Sequence, residues 1–206
     1  MSRLLAPDMA GSEIADAGQL ITIDPGEAVL VAQGGEKHRR DFTLGRFCAH
    51  AALAQLGGDC PAIGRRPNGA PDWPASFCGS ITHTSGYAAA VAARRSAFVS
   101  LGLDAERVGG VTAKLWPRLF DAEECAMLSG LAPQQQPCVA TILFSAKEAS
   151  FKAWSPLGAN ALSFRDIHIE RDGEDGFDAI SSAGFLKGRF TVRGDLVLTA
   201  ALVPAR

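Results

Sequence analysis

Large aromatic anchors are scarce in this 206-residue chain, which has 11 Phe, 3 Trp and a single Tyr. Alanine takes their place with 35 residues, so helix formation is cheap and big core side chains are few. Net charge is almost absent as well. Twenty Lys plus Arg against 22 Asp plus Glu leave −2, which excludes the broad basic surface that sequence-independent nucleic-acid binding requires. The five cysteines, Cys48, Cys60, Cys78, Cys125 and Cys138, are odd in number and no two are spaced as C-x-x-C. That excludes a disulfide framework or zinc ribbon and leaves reduced, mostly buried thiols. The longest alanine-rich run, Ala88 to Ala93, is far shorter than the ~20 residues of a membrane span. The start, with Arg3 followed by Asp8, Glu13 and Asp16, lacks the continuous apolar stretch of a signal peptide. A cytoplasmic protein is expected, one long enough to bury roughly 70% of its unfolded surface without disulfide or metal.

What is present is a sequence of alternating helical and strand patterns. Residues 1 to 35 give only weak signals. From Glu36 to Leu56, the residues Leu44, Cys48, Ala51, Ala52 and Leu56 recur at helical spacing and Gly57-Gly58 ends the run. Residues 61 to 78 read as a long ordered loop rich in Gly and Pro, including Trp73-Pro74. Two antiparallel strands follow, Gly79 to His83 and Tyr87 to Ala93, joined at Ser85-Gly86, and then a strand from Ala97 to Glu106. Asp121 with Glu124 is a capping-box pattern that opens a helix to about Ser129. Val139, Ile142, Leu143, Ala146, Ala149 and Ala153 predict a second long helix, ended by Ser155-Pro156. The tail alternates as strands around Ile167 and Ile169, from Phe185 to Val192, and from Leu196 to Val203, with a hairpin at Arg193-Gly194-Asp195. Each half thus offers a long helix and several antiparallel strands, which predicts an α+β fold of two similar-sized halves with a seam near residue 100, residues 1–100 and 101–206.

Four stretches carry candidate chemistry. In Leu101-Gly102-Leu103-Asp104-Ala105-Glu106 a strand period of two puts Gly102, Asp104 and Glu106 on one face. Two adjacent carboxylates suit a cation between them, and equally a solvated strand end. In Phe144-Ser145-Ala146-Lys147-Glu148-Ala149-Ser150-Phe151-Lys152 the pair Glu148 and Lys152, four apart, fits a surface ion pair opposite the apolar stripe. It also fits a third carboxylate for a hard cation with Lys147 and Lys152 neutralising phosphate. Thr82 and His83 sit among hydroxyls and glycines that suit a phosphate oxyanion, although a strand-end histidine is commonly structural. Arg39 and Arg46, seven apart on the first long helix, share either a solvated face or a phosphate site.

Three of these blocks, Gly79-Ser80-Ile81-Thr82-His83, Leu101 to Glu106 and Phe144 to Lys152, in this order and spacing, resemble the signatures of 4′-phosphopantetheinyl transferases of the surfactin-type class. The helix with Arg39 and Arg46 and the loop with Gly69-Ala70-Pro71 and Trp73-Pro74 are similar to its enterobactin-synthase-component-D-like branch. The resemblance spans roughly residues 36 to 203. It implies a pseudo-twofold monomer of two α+β halves, with antiparallel sheets each packed with a long helix. It further implies Mg²⁺ as cofactor, with Mn²⁺ an alternative, and transfer of the phosphopantetheine arm of coenzyme A to a serine of an apo acyl or peptidyl carrier protein. The matched positions imply Asp104, Glu106 and Glu148 as metal ligands, with Glu148 also the base. Lys147 and Lys152 fall around the phosphates, with Lys152 facing the leaving 3′,5′-ADP. Thr82, His83, Arg39 and Arg46 fall around the adenine and 3′-phosphate.

Two positions depart from the pattern. Leucines flank Gly102 where Ile or Val is usual, and Asn68 stands where relatives carry lysine, so Arg65 or Arg66 would have to supply that charge. The segment Lys114 to Phe120 combines basic and large apolar residues and is either part of a docking surface for an acidic carrier or the edge of the core. Competing functions for the same residues are a non-enzymatic coenzyme A or nucleotide-binding module and a metal-dependent phosphohydrolase. The intact trio of carboxylates favours transfer over the first, and a requirement for a carrier protein separates it from the second.

Overall fold

The computed structural model describes residues 1–58, 62–159 and 161–205. Its α+β architecture divides into two compact units, Met1–Leu101 with Pro204–Arg206, and Gly102–Val203. Among the described residues no helix is long and apolar enough to cross a membrane.

The first unit contains β1 (Met9–Ala15), a single helical turn α1 (Pro25–Ala28), the long helix α2 (Glu36–Gln55), a two-stranded ribbon of β2 (Gly64–Arg65) and β3 (Pro71–Asp72), and the hairpin β4 (Phe77–Thr84) and β5 (Tyr87–Arg94). The sheet order is β1-β5-β4, antiparallel throughout. Central β5 is buried from Tyr87 to Ala93, five of these seven residues being alanine, so both faces can be covered closely. Helix α2 lays Leu44, Cys48, Ala49, Ala52 and Leu53 against the sheet. It ends where Gly57 takes φ +69° and the Gly58 amide donates back to the Leu53 carbonyl, a left-handed cap that glycine adopts without a Cβ penalty. Strand β1 falls where the sequence carried only weak signals, because Met-Ala-Gly-Ser-Glu-Ile-Ala alternates poorly. The ribbon β2–β3 gives the expected loop a regular centre.

Strand β6 (Phe98–Arg107) opens on the first unit and carries the chain into the second. There follow one turn α3 (Trp116–Leu119), α4 (Ala122–Gly130), the long helix α5 (Gln136–Trp154), and β7 (His168–Asp172), β8 (Gly176–Ser181), β9 (Gly184–Arg193) and β10 (Leu196–Pro204). The sheet order is β6-β10-β9-β8-β7. The capping box forms as predicted, with the Asp121 side chain accepting from the Glu124 amide and Glu124 from the Asp121 amide. Leu143, Ala146, Ala149, Ala153 and Trp154 of α5 pack with Trp116, Phe120, Leu128, Ile167, Phe177 and Phe190. At the other face of the helix, Gly102 of β6 lies so close to α5 that a Cβ would fall 1.8 Å from the Ala149 carbonyl oxygen. That contact faces Gly102, Asp104 and Glu106 toward the helix.

Four cysteines are described and all are free thiols. Burial pushes Cys48 and Cys78 up to about 11, so neither is a nucleophile at neutral pH. Cys125 and Cys138 are half-buried, and Cys60 lies outside the described residues.

Candidate functional site

In the second unit, β6 and α5 bring Asp104, Glu106, Glu148 and Lys152 together. The solvated strand end fails for Asp104, which is 3% exposed. Its Oδ1 accepts from Lys152 Nζ at 2.6 Å and its Oδ2 from Ser145 Oγ at 2.9 Å. Lys152 also donates to the Leu103 carbonyl at 3.1 Å, so its ion pair is made across to the strand and not along the helix to Glu148. The surface face expected for Glu148 and Lys152 is therefore half-buried.

Three acids around one lysine leave excess negative charge. Glu106 rises to about 7, first because burial strips its solvent and then because Asp104 and Glu148 repel its charge, with Lys152 opposing. Burial likewise raises Glu148, with Lys152 opposing and Asp104 adding. Burial works against the charged form of Lys152, but Asp104, Glu148 and Glu106 more than offset it and hold the ammonium. A set of carboxylates in want of positive charge suits a divalent cation that prefers oxygen ligands. It also offers a base of raised basicity beside a fixed cation.

Lys147 goes elsewhere. Predicted at a phosphate, it is fully buried, with Nζ donating to Glu124 Oε2 and to the Phe164 carbonyl at 2.9 Å and lying 5.4 Å from the Phe120 ring centre. One residue along a helix turns the side chain by about 100°, enough to send Lys147 into the core while Glu148 faces β6. Glu124 also accepts from the Ile169 amide at 3.1 Å, and the neighbouring Asp121 pairs with His168 Nδ1 at 2.6 Å. Asp121, Glu124 and His168 offer ligand atoms within 4.8 Å of one another. Their cation is already the Lys147 ammonium.

In the first unit a cavity of about 190 Å³ is lined by His38, Asp41, Phe42, Gly45, Arg46, Arg65, Gly69, Pro71, Ile81 and His83. His83 is half exposed, with Nδ1 3.8 Å from Asp41 Oδ2. Arg46 is 3% exposed, stacks 4.8 Å over the Phe42 ring and donates to the Gly64 carbonyl at 3.0 Å. Glu27, fully buried, lies 3.9 Å from Arg46 Nε and also engages His50 and the Ile63 amide. The other expected partners are not in this wall. Thr82 is buried on the opposite face of β4 from His83, as strand alternation dictates. Arg39 is exposed and donates to the Gly34 carbonyl, so α2 does not present it beside Arg46. Arg65, not Arg66, lines the cavity; Arg66 pairs with Asp72 at 3.0 Å, and the Asn68 side chain caps the Ala70 amide. Phe42 and His38 lie one and two turns before Arg46 on α2, a spacing that could have found them.

In the segment from Lys114 to Phe120, Trp116 and Phe120 pack into the core while Lys114, Leu115 and Arg118 stay exposed.

Two family profiles match the chain: the 4′-phosphopantetheinyl transferase N-terminal domain over residues 26–93, and the 4′-phosphopantetheinyl transferase superfamily over residues 100–201. The 4′-phosphopantetheinyl transferase Npt of Nocardia iowensis is 36% identical over 199 residues, covering 93% of this chain and 85% of the relative. The 4′-phosphopantetheinyl transferase PptT of Mycobacterium tuberculosis is 35% identical over 215 residues, covering 95% and 92%. Enterobactin synthase component D of Salmonella typhi is 29% identical over 175 residues, covering 80% and 72%.

Proposed function

This chain belongs to the 4′-phosphopantetheinyl transferase superfamily, and from that premise we propose how its residues divide the work. The enzyme transfers the 4′-phosphopantetheine moiety of coenzyme A to a serine of an apo carrier protein and releases 3′,5′-ADP. The serine oxygen bonds to the β-phosphorus, the bond from that phosphorus to the bridging oxygen breaks, and its electron pair leaves with 3′,5′-ADP. Glu148 takes the serine proton, its basicity raised by burial. Lys152, kept charged by three carboxylates, neutralises charge gathering on the leaving phosphate.

Asp104, Glu106 and Glu148 would hold Mg²⁺, and Mn²⁺ suits the same oxygen donors. When bound, the ion supplies charge neutralisation on the pyrophosphate. The observation that carries this reading is the convergence of three half-buried to buried carboxylates and one lysine on β6 and α5. The cavity of the first unit takes the nucleotide end of coenzyme A, with His83, Arg46, His38 and Arg65 toward phosphate and Phe42 and Ile81 as apolar walls. Residues 1–100 then contribute nucleotide contacts, and residues 101–206 the cation and the catalytic helix. Lys147, Arg39 and Thr82 have no contact role in this proposal. We further read the enzyme as a cytoplasmic monomer whose exposed Lys114, Leu115 and Arg118 meet an acidic carrier.

The test is incubation with coenzyme A, Mg²⁺ and several apo acyl and peptidyl carriers, read by intact mass. Addition of phosphopantetheine is expected, and Glu148→Gln should abolish it while coenzyme A still binds. Binding without addition on any carrier would leave a coenzyme A-binding module, and cleavage of coenzyme A without a carrier would leave a phosphohydrolase.

A further inference from the structure

Behind Asp104 stands a chain of buried hydroxyls. Ser145 Oγ donates to Asp104 Oδ2 at 2.9 Å. Thr199 Oγ1, on β10, lies 2.8 Å from Ser145 Oγ and 2.8 Å from the Ser145 carbonyl oxygen. Ser145 and Thr199 are both fully buried. Each hydroxyl has one proton, so two protons serve three contacts. In one arrangement Thr199 donates to Ser145 Oγ and Ser145 to Asp104. In a second, Thr199 donates to the Ser145 carbonyl while Ser145 still donates to Asp104, and in a third, Ser145 donates to Thr199, Thr199 to the Ser145 carbonyl, and Asp104 loses this bond. A charged acceptor forms about twice as strong a bond as a neutral one, so the Asp104 carboxylate excludes the third arrangement. Donation to the carboxylate polarises the Ser145 hydroxyl into a stronger acceptor, which favours the Thr199 proton on Ser145 Oγ over the carbonyl.

Packing alone does not call for these hydroxyls. Thr199 sits among Val197, Leu198, Ala200 and Ala201, all buried, where valine would fill the same space and a hydroxyl must find a partner. Ser150, also buried on α5, turns its hydroxyl back to the Ala146 carbonyl at 2.7 Å, a bond within the helix itself.

We propose that Ser145 and Thr199 are positioning residues for the transfer reaction: a Thr199-to-Ser145-to-Asp104 hydroxyl relay fixes the orientation in which Asp104 presents its carboxylate to the divalent cation. The inference rests on the reading of Asp104 as a cation ligand. Partners that orient a metal ligand typically contribute about 10- to 100-fold to metal affinity.

The experiment measures Mn²⁺ binding to the purified protein through loss of the free-ion electron paramagnetic resonance signal, with melting temperature as the check on folding. Ser145→Ala should weaken Mn²⁺ about 10- to 100-fold, and Thr199→Val about tenfold. Thr199→Ser and Ser150→Ala should bind as wild type. In the double variant Ser145→Ala/Thr199→Val the Thr199 effect should vanish, because its path to Asp104 runs through the Ser145 hydroxyl. Losses that simply add in the double variant overturn the relay. So does a Thr199→Val protein with wild-type affinity when Asp104→Asn has lost it. Wild-type affinity in Asp104→Asn overturns the ligand assignment itself and the relay with it.

Discussion

Replacing Gly102 with alanine tests the contact on which the candidate active site is built. The new Cβ would sit 1.8 Å from the Ala149 carbonyl oxygen, 2.7 Å from its carbonyl carbon and 2.9 Å from the Ala153 nitrogen, where ordinary contact begins at 3.4 Å. All three neighbours are helix backbone, so no side chain can rotate away; β6 and α5 must part by on the order of 1.5 Å. Overpacking costs about 1–3 kcal/mol where side chains can yield, and rigid backbone puts this case near ~3 kcal/mol. For a chain of this size that corresponds to a fall in melting temperature of roughly 6–12 °C. The catalytic cost should be of similar size, a 10²-fold loss of rate being about 2.7 kcal/mol. Asp104 and Glu106 ride on the strand and Glu148 and Lys152 on the helix, and a misplacement of about 1 Å between reacting groups can cost 10²-fold. Circular dichroism melts and initial rates of carrier modification, measured at a temperature where the variant is fully folded, separate the two effects. A Gly102→Ala protein with wild-type melting and rate would refute the close approach. Lowered melting with an unchanged rate would refute its connection to catalysis.

The remaining predictions concern the buried network on the far side of α5. Lys147→Met strands the Glu124 carboxylate, and urea unfolding should show a loss of about 3–5 kcal/mol with unchanged coenzyme A affinity in the folded protein. Wild-type stability with lost affinity would return Lys147 to a phosphate. The second prediction is a pH dependence at His168. Burial pulls its pKa down, but the hydrogen bond and charge of Asp121, with Glu124 and Glu170, raise it above the ordinary 6.5. The charged pair therefore stabilises fully below pH 6.5 and its contribution is lost as pH rises through the raised value. Asp121 has the opposite edge. Burial alone would raise it, but the Glu124 amide and His168 hold it below 3.8, so its contribution is lost as pH falls through that lowered value. Melting temperature against pH should decline above 6.5 in the wild type and flatten there in His168→Asn; an identical decline in the variant would place the titration elsewhere.

The regular elements with strong periodicity were legible from the sequence because their pattern is local. The helix from Glu36, the capping box at Asp121 and the hairpin at Gly194 all rest on residues within a few positions of one another. Strand β1 was not legible, because its place is set by pairing with β5, Glu13 opposite Ala89, and not by its own alternation. The carboxylates of the site announced themselves by type and parity, but their burial did not: it arises because Gly102 lets α5 close over the strand. Lys147 shows the limit most clearly. Lys147 and Lys152 stand in one short block, and only Glu124, 23 residues earlier, decides that one is a core ion pair. Arg65 and Arg66 are likewise equivalent as letters and are separated by the β2–β3 ribbon, which turns one to the cavity and the other to Asp72.

The alanine-filled strand β5 bears on temperature in a way the second unit does not share. The heat-capacity change on unfolding grows with the apolar area exposed, and a central strand of alanines exposes little hydrocarbon for the backbone hydrogen bonds it breaks. The second unit, which buries Trp116, Phe120, Trp154, Phe177 and Phe190 where the first buries Trp73, Phe77, Tyr87 and Phe98, exposes more. The first unit should therefore have the flatter stability curve of the two. Cooling then weakens the hydrophobic core of the catalytic unit more steeply than it weakens the unit that carries the nucleotide cavity.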